Sequence, residues 1–403
     1  MNNLQNYYKE NAWWASPYNE KQEVIGSEIA QHPIELHDAT LRDGEQTPGV
    51  VFSVDDKVAI AEKLLEVGVT RIEAGMPAVS KEDFEAIQKI SSRYKEAQVY
   101  AFARSMRQDI DLARDCGVKG VVIEVPIGYP KLLHQFGWTW ENVLEKSVDC
   151  INYARSQGLK VVYFPYDTTR AREEDLENLM QGIMRDAVPD SVGIVDTMGC
   201  ALPGAIRYLV RKMKEMAPGV AVEVHTHNDF GMAIATQLAG LAAGASVAHT
   251  CVNGLGERTG NAALEEMILS LTVLWGLKTP YKLDKLAALC ERVEKLSGVS
   301  CALNKPFCGA RNYMRESGIG ADLVVKKPLA MFATDPRFFG KSGDVALGKK
   351  SGKPNILYHL EKMGMSASDD QVNEILAQVK ALGQEKKRLL TEDEFVEIVK
   401  KQK

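Results

Sequence analysis

IELHDATLRDGEQTPGVVFSVDDKVAIAEKLLEVG, residues 34–68, carries two periodicities one after the other. The opening run IELHDAT is short and β-rich. From Asp55 to Gly68 the apolar residues recur at spacings of three and four, which is a helical period, and Ser53 stands where an N-cap belongs. The stretch therefore reads as one strand, one loop and one helix, and the fold depends on whether that unit recurs.

It recurs seven times. TRIEAGM, VYAFAR, GVVIEV, KVVYFP, VGIVDT, VAVEVHTH and VAHTCVNG follow, each separated from the next by a stretch of helical period. Eight β-then-α units over roughly 250 residues match the size of a (β/α)8 TIM barrel in the α/β class. A doubly wound open sheet is the alternative, and count and length favour the barrel. Past residue 295 the rhythm changes to the Gly/Pro-bearing NKPFCGARNYMRESGIGADL, then to charged helical patterns ending in TEDEFVEIVKKQK. The expected organisation is an N-terminal arm (1–33), a catalytic barrel (34–295) and a C-terminal linker with a mostly helical appendage (296–403). Tyr7, Tyr8, Trp13, Trp14 and Tyr18 make the arm aromatic, so it is expected to dock on its own domain or on another subunit.

Composition narrows the function. A formal net charge of −5 without a long basic run lacks the electrostatic footprint of a nucleic-acid binder and points to a small anionic metabolite. The 7 cysteines are scattered, odd in number and without a C-x-x-C pair, which argues for a reducing compartment, read here as the cytoplasm. The N-terminus has no secretory-signal pattern, and nothing approaches a membrane span.

In a barrel, chemistry sits at the C-terminal ends of the strands. His225 and His227, two apart at the end of the seventh strand, share one face by the period-two alternation. Asp43 follows the first strand and Asn261 the eighth. Strands 7, 8 and 1 are neighbours in a closed barrel, so one carboxylate, two imidazoles and one amide oxygen can converge. That mixed O/N set without thiolate suits Mg2+, Mn2+, Zn2+ or Co2+. Taken alone, H-x-H at a strand end also reads as a hydrogen-bonded polar rim.

Taken together, LRDGEQTPG (41–49), IEAGMPAVS (72–80), DTMG (196–199), HTHNDFGMA (225–233) and GLGERTGNAALEE (254–266) resemble the motifs of a known family. This is the family of metal-dependent 2-isopropylmalate, homocitrate, citramalate and Re-type citrate synthases, with 3-hydroxy-3-methylglutaryl-CoA lyase as a more distant relative. The resemblance continues through ESGIGADL and VALGKKSG and so covers nearly the whole chain from residue 34. It implies that Asp43, His225 and His227 ligate a divalent metal ion, with Asn261 as a nearby or fourth ligand. It also implies that Arg42 reaches the substrate's keto oxygen, that Gln46 helps hold the first loop, and that Thr197 binds the 2-oxo acid carboxylate. A homodimer is the assembly implied. The regulatory domain of the longer isopropylmalate synthases is not expected.

Three positions depart from the family. Where the condensing enzymes place a glutamate after the fifth strand, and a histidine with a nearby tyrosine in the appendage, this chain has Tyr166, Gly320 and, approximately aligned, Met331. Tyr166 is a candidate acid or base, or else a packing residue; Glu124, Asp167, Glu316 and Asp322 are other ionisable groups that could lie near. The leading expectation is condensation of acetyl-CoA with a 2-oxo acid, of Claisen type, giving a 2-hydroxy di- or tricarboxylic acid and CoA. Two alternatives stand beside it: a metal-dependent carbon–carbon lyase or aldolase on the same barrel, and a non-catalytic metabolite-binding relative.

Overall fold

In the computed structural model, which describes residues 7–402, eight parallel strands close into a barrel in sequence order. They are β1 (Glu35–Asp38), β2 (Arg71–Glu73), β3 (Gln98–Arg104), β4 (Gly120–Pro126), β5 (Lys160–Tyr166), β6 (Ser191–Asp196), β7 (Ala221–Thr226) and β8 (Val247–Thr250). Closure is made by β8 against β1, with Val247 opposite Glu35 and Thr250 opposite Asp38. A closed ring has no edge strands, so the doubly wound sheet is excluded and the TIM barrel is the fold. Each of the eight runs picked out from the sequence contributes one stave.

The first unit shows why the sequence folds this way. Helix α1 (Val54–Val67) starts at Ser53, whose hydroxyl accepts the Asp56 N–H at 3.2 Å while the Asp56 carboxylate accepts the Ser53 N–H at 3.0 Å, a reciprocal capping box. It buries Ile60, Ala61, Leu64 and Val67 against the barrel and stops at Gly68, whose φ of +100° is left-handed. Inside the barrel, Tyr100, Phe102, Val122, Val162, Phe164 and Val195 pack into one apolar cluster. Side chains alternate along a strand, so two residues further on, Glu124 of β4 and Tyr166 of β5 fall in the next layer towards the mouth.

The chain divides into two compact units, Tyr18–Ser300 and a second one that joins arm residues 7–17 to residues 301–402. Within the second unit the arm docks on its own chain. Trp13 is buried edge-on against Phe338 at 5.7 Å between centroids, and the Trp14 N–H donates to Ala333 O at 2.8 Å. Residues 301–350 are largely irregular. The three helices Lys353–Lys362, Asp369–Lys386 and Glu392–Lys400 then pack around Leu347, Ile356, Leu360, Val379, Phe395 and Ile398.

Candidate metal centre and active site

The loop after β1 is built to hold two adjacent charged side chains still. Arg42 and Gly44 both donate their N–H to Ala39 O, at 3.1 and 3.0 Å, which folds the chain back over the end of β1. Thr40 bridges strands: its hydroxyl donates to Asp38 Oδ2 at 3.0 Å and accepts the Val252 N–H at 2.8 Å. From beneath, the buried ammonium of Lys57 on α1 donates to Leu41 O at 3.1 Å and pairs with Glu45 Oε2 at 2.5 Å and with Asp83.

Asp43 leaves this loop towards the end of β7. Its Oδ2 lies 3.1 Å from His225 Nε2 and 3.9 Å from His227 Nε2, and all three side chains are no more than 5 % exposed. Burial works to raise the Asp43 pKa, but Arg42 and the imidazoles outweigh it and hold the carboxyl well below the usual range. His227 is pushed down to about 4, mainly by burial, so its ring is neutral at physiological pH and its ring nitrogen lone pair is available to a ligand. Asn261 pairs its backbone with His227, and its Nδ2 donates to Leu255 O at 3.0 Å. That close approach explains the glycines of GLGERTGN: a Cβ on Gly256 would sit 2.2 Å from Asn261 Nδ2, and one on Gly260 1.8 Å from Gly254 O.

Asp43 Oδ1, His225 Nδ1, His227 Nδ1 and Asn261 Oδ1 are buried without a hydrogen-bond partner among the described residues. Buried polar atoms are rarely left orphaned. Ligand atoms of Asp43, His225 and His227, one from each, lie within 4.8 Å of one another, and the orphaned oxygens of Asp43 and Asn261 add acceptors beside them, a donor set that matches the ligand chemistry of a divalent cation.

Arg42 stands beside the triad, with Nη1 3.2 Å from Asp43 Oδ2. Its Nε and Nη2 donate to the two oxygens of Glu73 at 2.6 and 3.4 Å, and its guanidinium lies 4.6 Å over the Phe102 ring. Burial raises the Glu73 pKa less than Arg42 and His37 lower it, leaving it at about 2. Gln46 is exposed, and its Oε1 lies 3.5 Å from Arg42 Nη1. Glu45, the other acidic neighbour of Arg42 in sequence, turns away and pairs with Lys57.

Thr197 follows β6, and its Oγ1 accepts the Asp167 N–H at 2.9 Å, leaving its own hydrogen free to donate. Tyr166 is half-buried with Lys131 Nζ 3.7 Å over its ring. Burial and the nearby carboxylates of Glu124 and Asp167 push its phenol up to about 12, so at neutral pH it is a proton donor and not a base. Glu124 is raised to about 7, chiefly by burial, with Arg42 and Lys131 opposing. A cavity of about 840 Å3 opens beside Arg42 and Gln46, walled by Leu41, Val50, Phe52 and Met76.

Sequence reasoning missed the supports below this layer. His37 meets Glu73 at 3.2 Å, His249 meets Glu223 at 2.6 Å, the two rings stack at 4.1 Å, and Arg71 holds Glu223 at 2.7 Å. The signal was present as charged and imidazole residues at inward positions of otherwise apolar strands. In the second unit the two departures from the family pattern touch: Gly320 has φ +73°, and a Cβ there would meet Met331 Sδ at 2.8 Å.

With this geometry in place, comparison with known proteins is informative. Residues 33–293 match the family described as HMGL-like, and residues 307–387 match the homocitrate synthase post-HMGL domain-like family. The chain is 38% identical over 392 residues to the homocitrate synthase AksA of Methanocaldococcus jannaschii, covering 97% of this chain and 94% of that one. It is 36% identical over 384 residues to the 2-isopropylmalate synthase of the same organism, covering 93% and 74%. Among solved structures, the hydroxymethylglutaryl-CoA lyase of Pseudomonas aeruginosa superposes with a TM-score of 0.62 at 20% identity, over 71% of this chain and 98% of that one, a likeness of fold. The chain belongs to the HMGL-like family, in the branch that carries the homocitrate synthase type of post-barrel region.

Proposed function

We propose that the protein is an acyltransferase that condenses acetyl-CoA with a 2-oxo acid and releases CoA and a 2-hydroxy di- or tricarboxylic acid. The observation that carries this reading is the placement of Arg42 beside the Asp43–His225–His227 triad, at the mouth of a barrel whose curated relatives are named homocitrate and 2-isopropylmalate synthases.

Asp43, His225 and His227, with Asn261 as a fourth donor, would hold a divalent cation, Mn2+, Mg2+, Zn2+ or Co2+. When bound, the ion supplies Lewis-acid polarisation of a ketone. Arg42 donates towards the keto oxygen as negative charge develops there, and a fixed, buried cation needs no reorganisation at that moment. Thr197 donates its free hydroxyl hydrogen to the oxo acid carboxylate. Gln46 steadies Arg42 through its amide oxygen. Tyr166 acts as a proton donor at the mouth.

The test is CoA release, followed with a thiol reagent, against pyruvate, 2-oxoisovalerate, oxaloacetate and 2-oxoglutarate with Mn2+ or Mg2+. Release with one of them supports the reading; none with all four removes it. A cytoplasmic location fits the scattered cysteines without a C-x-x-C pair, and no helix among the described residues is long and apolar enough to cross a membrane. The homodimer expected of the family is checked by sedimentation.

A further inference from the structure

Condensation needs a base. The methyl group beside a thioester is a weak acid, and removing its proton without a positioned acceptor forfeits a factor of about 10² to 10⁴. The positions where the family keeps such a group hold Tyr166, which stays protonated at neutral pH, and Gly320 and Met331, which cannot accept a proton.

The carboxylates at the mouth of the barrel can be taken one by one. Asp43 belongs to the triad, and Glu73 is held by Arg42 and His37. Asp167 accepts three bonds from Arg170, at 3.0, 3.0 and 2.7 Å. Asp196 accepts the Thr169 hydroxyl at 2.7 Å and the N–H groups of Cys200 and Ala201. Glu257 is neighbour to Arg258, with 3.5 Å between the charged groups. The Glu257 side chain is 55 % exposed, and the other four are each committed to a structural partner.

Glu124 is not. It projects inward from β4, opposite Phe164 of β5 and one layer above Val122, with Arg42 and Lys131 as the cations that face it. Among the described residues its carboxylate has no hydrogen bond and no ion pair within 4 Å. A half-buried carboxylate that faces two cations without bonding either is free to take up a proton.

We propose that Glu124 is the base that removes the methyl proton of acetyl-CoA, an assignment that rests on the condensation reading above. The C–H bond breaks, its proton passes to the Glu124 carboxylate, and the bond pair becomes the thioester enolate. The enolate carbon then bonds to the keto carbon, and the C=O π pair moves to the oxygen facing Arg42. The proton held by Glu124 neutralises that alkoxide. Water finally cleaves the thioester, with hydroxide on the acyl carbon and the proton on sulfur, releasing CoA.

The experiment compares wild type, Glu124→Gln and Glu124→Asp in oxo-acid-dependent CoA release, with acetyl-CoA and with its trideuteromethyl form. Metal content and thermal midpoint are measured alongside. The expected result is a kcat lowered by about 10² to 10⁴ in E124Q, with KM for the oxo acid within about threefold and an isotope effect larger than that of wild type. E124D, which keeps a carboxylate set back by one methylene, should recover part of the rate. If E124Q turns over within about threefold of a working wild type, or if its loss lies in KM alone, the assignment is wrong while the condensation reading stands. A wild type that releases no CoA with any oxo acid overturns both.

Discussion

Glu73 grips Arg42 along one edge of the guanidinium, at 2.6 Å on Nε and 3.4 Å on Nη2, so that the Nη1 corner is left facing Asp43 at 3.2 Å. The carboxylate thus sets where the positive corner points. Replacing Glu73 with Gln keeps the volume and one acceptor but removes the charge that fixes the fork. We expect kcat to fall by about 10- to 100-fold with little change in KM for the oxo acid, and Arg42→Lys to cost more, about 10²- to 10³-fold. Steady-state kinetics of the two variants checks the order.

The same pair makes stability depend on acid. The Glu73 carboxyl lies at about 2 in the folded chain against an ordinary 4.5. Between those pH values the unfolded chain binds the proton more tightly, so stability falls as pH is lowered through the window and is fully present above it. Two and a half pH units correspond to about 3 kcal/mol. Urea unfolding at pH 5 and pH 3 should show a smaller loss in E73Q than in wild type.

Lys57 offers a test of the loop itself. Its buried ammonium joins Leu41 O, Glu45 and Asp83, and Lys57→Met leaves two carboxylates facing one another without a cation. Breaking a buried ion pair from one side costs roughly 3 kcal/mol or more. The expected outcome is a lower urea midpoint together with weaker metal binding, because Leu41 is two residues from Asp43. A midpoint that moves with metal affinity unchanged would show that the loop is positioned by other contacts.

Much of this was legible in the chain because barrel chemistry follows a local rule. Eight apolar runs at regular spacing gave the staves, and Ser53 marked the first helix start. His225 and His227 stood at the end of the seventh strand, and Asp43 and Asn261 in the loops after the first and eighth, three strands that closure sets side by side. What stayed hidden depends on partners distant in sequence. Arg42 could be read as a catalytic cation, but not its pairing with Glu73 of the next strand. Lys57 looked like one more polar residue of an amphipathic helix, and only the folded chain brings it under Leu41. The stacked His37 and His249 come from β1 and β8, whose contact exists only when the ring closes. The aromatic arm was expected to dock, and its place on Ala333 and Phe338 was not readable from its own residues.

Gly320 and Met331 make a further prediction. With φ at +73° and Met331 Sδ 2.8 Å from where a Cβ would lie, Gly320→Ala carries both backbone strain and a clash. A loss of about 1 to 3 kcal/mol is expected. Met331→Ala in the same chain should return only the part due to the clash, and a urea titration of the single and double variants separates the two.

The most direct measurement is metal content and affinity, by inductively coupled plasma mass spectrometry and by calorimetry after chelation, for wild type and for Asp43→Asn, His225→Ala and His227→Ala. The account predicts one divalent ion per chain in wild type and affinity reduced by at least tenfold in each variant. Equal metal binding in all four proteins, or none in a wild type that nevertheless condenses acetyl-CoA with an oxo acid, would contradict it.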